Sequence, residues 1–184
     1  MRHVIVQAQI GNDDGLSVSV NLSSRQLIRR DLVSDVRSVL ARSSLKPRCL
    51  RLELTESLVM DNPEQSAHVL TKLKQLGIGL SLDDFGTGYS SLAYLTRFPF
   101  DTIKIDKSFL DDSSPKKNVL LRSMVNMAHD LGLSVVAEGV PDENEALLLR
   151  QMGCEYVQSF AFGAPMPADA ALRLLKEQYP LTQA

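Results

Sequence analysis

The sequence predicts an α/β fold with about six parallel strands, and three observations predict it. Three segments share one grammar: KLKQLGIGLSLDD, MAHDLGLSVVAEG and LLRQMGCEYVQS each pass from an amphipathic helix end through a glycine to a short apolar strand and a polar residue. The strand-like stretches are nearly continuous apolar runs, as expected where helices cover a sheet on both faces. Helical stretches separate them, and strands joined across a helix run parallel.

The elements follow in chain order. Residues 1–15 form an irregular lead-in, although HVIVQAQI alternates and suits either an edge strand or a helix. LSVSVNL reads as a strand reaching Asn21, and CLRLEL as one delivering Glu53. DNPEQ opens a helix with Asn62 as N-cap and Pro63 in the first turn. That helix stops at Gly77, where a left-handed cap is wanted, and IGLSLD leads to Asp83 and Asp84. FDTIKID carries Lys104, and Leu121, Met124, Val125, Ala128 and Leu131 then recur at helical spacing on one face. Gly132 ends that helix before LSVVAE, which ends in Glu138. PDENE starts the next helix with Asp142 as cap and Glu145 three residues on, and Gly153 precedes EYVQ, which ends in Gln158. Nothing resembling a linker divides the 184 residues, so residues 1–184 are expected to form a single domain.

Composition narrows the class. Hydrophobic residues make up 44% and charged residues 23%, an ordinary globular balance. A formal charge of −2 gives no reason to expect a nucleic-acid polymer as partner. No apolar run approaches the ~20 residues of a membrane span. Cys49 and Cys154 lie in apolar stretches and read as buried free thiols, which fits a reducing, cytoplasmic location. His3, His68 and His129 fall at the terminus or in helices and read as surface or packing residues.

Six strands delivering Asn21, Glu53, Asp83 with Asp84, Lys104, Glu138 and Gln158 to one rim place a site there, as parallel α/β folds do. Carboxylates and an amide, with no histidine or cysteine, are hard oxygen ligands that favour Mg²⁺ or Mn²⁺. Successive strand residues face opposite ways, so the strand is expected to end at Asp83, with Asp84 already in a loop turned by Gly86 and Gly88. Two carboxylates from one turn then serve two cations, the usual apparatus for in-line displacement at phosphorus. Lys104 either supplies positive charge beside a phosphate or attacking water, or makes a rim salt bridge to Asp106 or Glu138. A Schiff-base role for Lys104 would leave the carboxylates unexplained.

VNLS at Val20–Ser23, ELTES at Glu53–Ser57, DDFGTGYSSL at Asp83–Leu92, IKID at Ile103–Asp106 and AEGV at Ala137–Val140 together resemble the EAL-domain family, over Leu16 to Leu175. The resemblance implies a modified TIM barrel that opens cyclic di-GMP to linear pGpG with two Mg²⁺ or Mn²⁺ ions. It implies Asn21, Glu53 and Asp83 as ligands of one metal, and Asp83, Asp84 and Glu138 at the second. It further implies Lys104 beside the water, Gln158 in support, and Glu56 as anchor of the Asp84–Ser91 loop, through which many members couple dimerisation to activity. From the residues alone, Glu56 reads as a helix-start residue.

The chain departs from the family in three places. The Glu-Ala-Leu stretch, with its metal-ligand glutamate and the arginine that holds a substrate phosphate, does not occur. A TIM-type barrel takes about 250 residues, so the resemblance implies an incomplete barrel short by roughly 60, or two strands and a helix. Pro141 replaces an acid, and Ser159, Phe160 and Ala164 alter the family's QGY…KP pattern. The implied function is a phosphodiesterase weakened by truncation, or a degenerate module that binds cyclic di-GMP or docks a protein without hydrolysis. Open sheet edges would call for a homodimer partner, a swapped segment or a partner domain.

Overall fold

The computed structural model describes residues 17–88, 95–111 and 114–178. HVIVQAQI, the lead-in with His3, and the Tyr89–Leu92 end of the DDFGTGYSSL motif lie outside the described residues.

Six strands are present: β1 Val18–Asn21, β2 Leu50–Thr55, β3 Gly79–Phe85, β4 Thr102–Ile105, β5 Ser134–Glu138 and β6 Tyr156–Gln158. They form one sheet in sequence order, and every adjacent pair is parallel. The connecting helices are α1 Ser24–Leu27, α2 Leu32–Ser43, α3 Glu56–Met60, α4 Pro63–Lys74, α5 Ser108–Asp111, α6 Lys117–Asp130 and α7 Glu143–Gln151, and α8 Ala168–Gln178 follows β6. Among the described residues β1 and β6 are sheet edges, so the barrel is not closed.

The strands alternate more sharply than their sequences imply. One face carries Leu52, Leu54, Leu80, Leu82, Ile103, Ile105, Val135 and Ala137, all buried in the core beneath the helices. The other carries Ser19, Glu53, Ser81, Thr102 and Lys104, which are also buried but polar. Isolated serines and threonines leave the runs nearly continuous in the sequence. In the fold they mark the inner, chemistry-bearing face.

Local signals are obeyed closely. Asn62 Oδ1 accepts from Gln65 N at 3.2 Å and caps α4, while Asp142 Oδ1 accepts from Glu145 N at 2.9 Å and caps α7. Gly77, Gly132 and Gly153 all take positive φ after their helices. Leu121, Met124, Val125 and Ala128 pack in the core, but Leu131 is 37% exposed because α6 ends at Asp130 and the chain turns away. Cys154 is buried and Cys49 half-buried, and both are free.

A repeated fastening holds the opposite end of the sheet. Asp101, just before β4, accepts from the backbone N–H of Leu80 at 2.9 Å and pairs with Lys74 at the end of α4. Glu155, just before β6, accepts from Val135 N at 2.8 Å and meets His129 Nε2, near the end of α6, at 2.9 Å. In both units an acid reaches back to the first turn of the preceding strand and draws in the base that ends its helix.

Candidate metal centre

The site is built from the C-terminal halves of β2 to β5. Register sets Asn21 opposite Glu53, Thr55 opposite Asp83 and Glu138 opposite Gln158. Glu53 lies two residues inside β2 and is 1% exposed; Lys104 lies one residue inside β4 and is 2% exposed. The Lys104 ammonium is 2.5 Å from Glu138 Oε1, 3.1 Å from Glu53 Oε2 and 3.1 Å from Asp83 Oδ1. Of the two salt-bridge partners expected for it, Glu138 is the one it takes.

Asp83 and Asp84 reach the same centre by a route unlike the expected one. β3 does not end at Asp83; it continues through Asp84 to Phe85, and pairing with β4 resumes at Phe85 opposite Ile105. Between Leu82 and Phe85 the register shifts, and Asp84 takes φ +54, a conformation aspartate tolerates better than most residues. This bulge suspends the usual alternation, so oxygens of Asp83, Asp84 and Glu138 lie within 4.8 Å of one another.

Four carboxylates facing one ammonium create a surplus of negative charge. Burial pushes the Asp84 carboxyl above its ordinary pKa, and repulsion from Asp83 and Asp106 adds to the shift against the pull of Lys104. Burial also raises Glu138, with Asp83 and Glu53 adding and Lys104 opposing. For Lys104 burial works against the charge, but Glu53, Glu138 and Asp83 hold its pKa well above the ordinary value. Glu53 Oε1 is buried with no hydrogen-bond partner. An orphaned carboxylate oxygen beside a repelling acidic trio fits a divalent cation: positive charge there satisfies the one and relieves the other.

The remaining expected residues take different places. Asn21 ends β1 and is exposed, and Gln158 ends β6, where its backbone carbonyl accepts from Gly139 N at 2.8 Å. Glu56 opens α3 as the residue pattern implied, yet it is buried, and its Oε2 accepts from Gly86 N at 3.3 Å. It therefore touches the loop that follows Asp84. Asp106, in the sequence a possible salt-bridge partner of Lys104, acts by its charge on Asp84 from one residue past β4. Hydrogen bonding from Ser108 holds the Asp106 carboxyl below its ordinary range, with a smaller contribution from Lys107. Its i+2 spacing from Lys104, just past the end of β4, is the available signal.

Parallel strands, helices on the apolar face and an acidic mouth at the strand ends define an incomplete TIM-type (β/α) barrel. A sequence profile of the EAL domain matches residues 1–165, and the chain belongs to the EAL-domain family. That match starts ahead of Leu16 and stops short of Leu175, the limits of the motif resemblance. Cyclic di-GMP phosphodiesterase NbdA of Pseudomonas aeruginosa is 41% identical over 169 residues, covering 91% of this chain and 22% of NbdA. The PaMucR phosphodiesterase in its c-di-GMP complex superposes with a TM-score of 0.80 at 41% identity, over 84% of this chain and 64% of that one. BlrP1 of Klebsiella pneumoniae, in a manganese and cyclic di-GMP complex, gives 0.72 at 35% identity over 79% of this chain and 38% of BlrP1. A calcium complex of BlrP1 with the same nucleotide gives 0.74 at 36% identity, over 81% and 39%. No helix among the described residues is long and apolar enough to cross a membrane.

Proposed function

We propose that this chain carries the rim of a cyclic di-GMP phosphodiesterase, which opens the cyclic dinucleotide to linear pGpG. The observation that carries this reading is the convergence of Glu53, Asp83, Asp84 and Glu138 around Lys104 in a chain of this family. Asn21, Glu53 and Asp83 would hold one Mg²⁺ or Mn²⁺ ion, and Asp83, Asp84 and Glu138 a second. Bound divalent cations supply an acidified water nucleophile and steady the leaving oxygen.

The chain's own groups set the rest. Burial works against the Lys104 charge, and the Glu53, Glu138 and Asp83 carboxylates that face it hold its pKa above the ordinary value. Its role is a fixed positive charge that aligns the Glu53, Asp83 and Glu138 oxygens and orients water by hydrogen bonding. Gln158, in register with Glu138, supports that carboxylate from the neighbouring strand. Glu56 fixes the Gly86 end of the loop and thereby the bulge that aims Asp84.

Incubating the chain with cyclic di-GMP and saturating Mn²⁺, and following pGpG by chromatography, tests the proposal. Product that disappears in E53Q and D83N supports it; no product with Mn²⁺ saturating counts against catalysis. A non-catalytic receptor is the second reading, favoured by Pro141 and by Phe160, 78% exposed where the family pattern differs. Nucleotide binding without product identifies that case, and no nucleotide binding points to protein docking.

A further inference from the structure

Among the described residues, the mouth is short of positive charge for an anionic substrate. Lys104 is buried and fully engaged by three carboxylates, so it has no charge to spare for a phosphate. In the three residues that follow each of the six strands, the single basic side chain is Lys107. It stands immediately after Asp106, at the end of the strand that carries Lys104.

Lys107 is exposed, but its stem is not free. Gly139, the residue after Glu138, takes φ +65, and a Cβ there would lie 2.5 Å from Lys107 Cβ, 3.4 Å from Cδ and 3.5 Å from Cγ. The aliphatic chain therefore runs along bare backbone of the neighbouring loop, a track that only glycine leaves open. An exposed lysine with its stem packed is a pre-positioned cation, because part of its rotamer freedom is already surrendered. The backbone of the same residue is fixed as well: Lys107 O accepts from Leu110 N at 2.8 Å and from Asp111 N at 2.9 Å as α5 begins.

We infer that Lys107 is a substrate-binding residue, its ammonium meeting a phosphate of the cyclic dinucleotide at the mouth between the β4 and β5 loops. This rests on the reading of the site as one for cyclic di-GMP. Gly139 serves it as the groove that holds its stem.

Equilibrium binding of fluorescent cyclic di-GMP to the 184-residue chain tests the inference, with Ca²⁺ as the cation, as in one BlrP1 complex. K107M should weaken binding roughly five- to tenfold, the loss of one charge-assisted hydrogen bond, and K107R should restore most of it. The slope of log affinity against log salt should be shallower in K107M, while titration with Mn²⁺ alone should not distinguish it from the wild type. Binding by K107M equal to wild type, an equal loss in K107R, or a matching loss of Mn²⁺ affinity would each overturn the role of Lys107 and leave the site reading standing. A wild-type chain that binds no cyclic di-GMP overturns both together.

Discussion

The Lys104 ammonium and the Glu138 carboxylate, on adjacent strands, meet at 2.5 Å inside a cluster that also contains Glu53 and Asp83. Lys104 is thus the counter-ion of the whole cage. Replacing it with methionine leaves three carboxylates without their shared cation, and breaking a buried pair from one side typically costs about 3–5 kcal/mol. K104M should therefore lower the calorimetric melting midpoint sharply without metal and recover part of the loss when Mn²⁺ is added. A midpoint unaffected by the substitution would show that the cluster does not depend on Lys104.

Asp84 gives a pH-dependent prediction. Its folded pKa and that of Glu138 are raised above their unfolded values. The stability they contribute is complete below the ordinary carboxylate range and is lost as pH rises through the raised folded values. Metal-free protein should weaken across that window, and D84N should weaken less, since asparagine tolerates φ +54 and carries no charge. At neutral pH D84N should melt slightly higher than wild type without metal and gain less from Mn²⁺. Equal Mn²⁺-dependent shifts in the two proteins would remove Asp84 from the metal site.

The loop anchor can be separated from the fold. Glu56 accepts from Gly86 N, and a Cβ on Gly86 would meet the Phe109 ring at 2.7 Å, so the loop is held from two sides. E56A should cost about 1–3 kcal/mol through the unpaired amide and the lost contact, and should weaken Mn²⁺ binding through Asp84. E56Q keeps an acceptor for Gly86 and should retain most of the stability. Mn²⁺ affinity unchanged in E56A would deny any link between Glu56 and the acidic bulge.

The fastenings at the far end of the sheet should matter for stability alone. E155A leaves Val135 N without its acceptor, and D101A does the same to Leu80 N. Each should cost about 1–3 kcal/mol in urea denaturation, while Mn²⁺ affinity stays at the wild-type value. Because the two acids serve different strand pairs, their effects should add in the double variant.

The sequence by itself determined the parts whose causes are local. Gly77, Gly132 and Gly153 end helices because the left-handed turn is cheap only for glycine; Asn62 and Asp142 cap because their side chains reach amides three residues on. Alternating helix and strand patterns likewise fix six parallel strands, and hence one rim for their polar ends. Tertiary structure alone decided what depends on sums over neighbouring strands. Asp84 sits in a bulge inside β3, since the bulge reconciles pairing to β4 with two acids facing one centre. Lys104 takes three carboxylates, Asp106 acts on Asp84, and Lys107 lies along Gly139, all through contacts between residues far apart in the chain. Backbone preference acts within a few residues and can be read along the chain. Charge and packing act through space, and their partners exist only once the strands lie side by side.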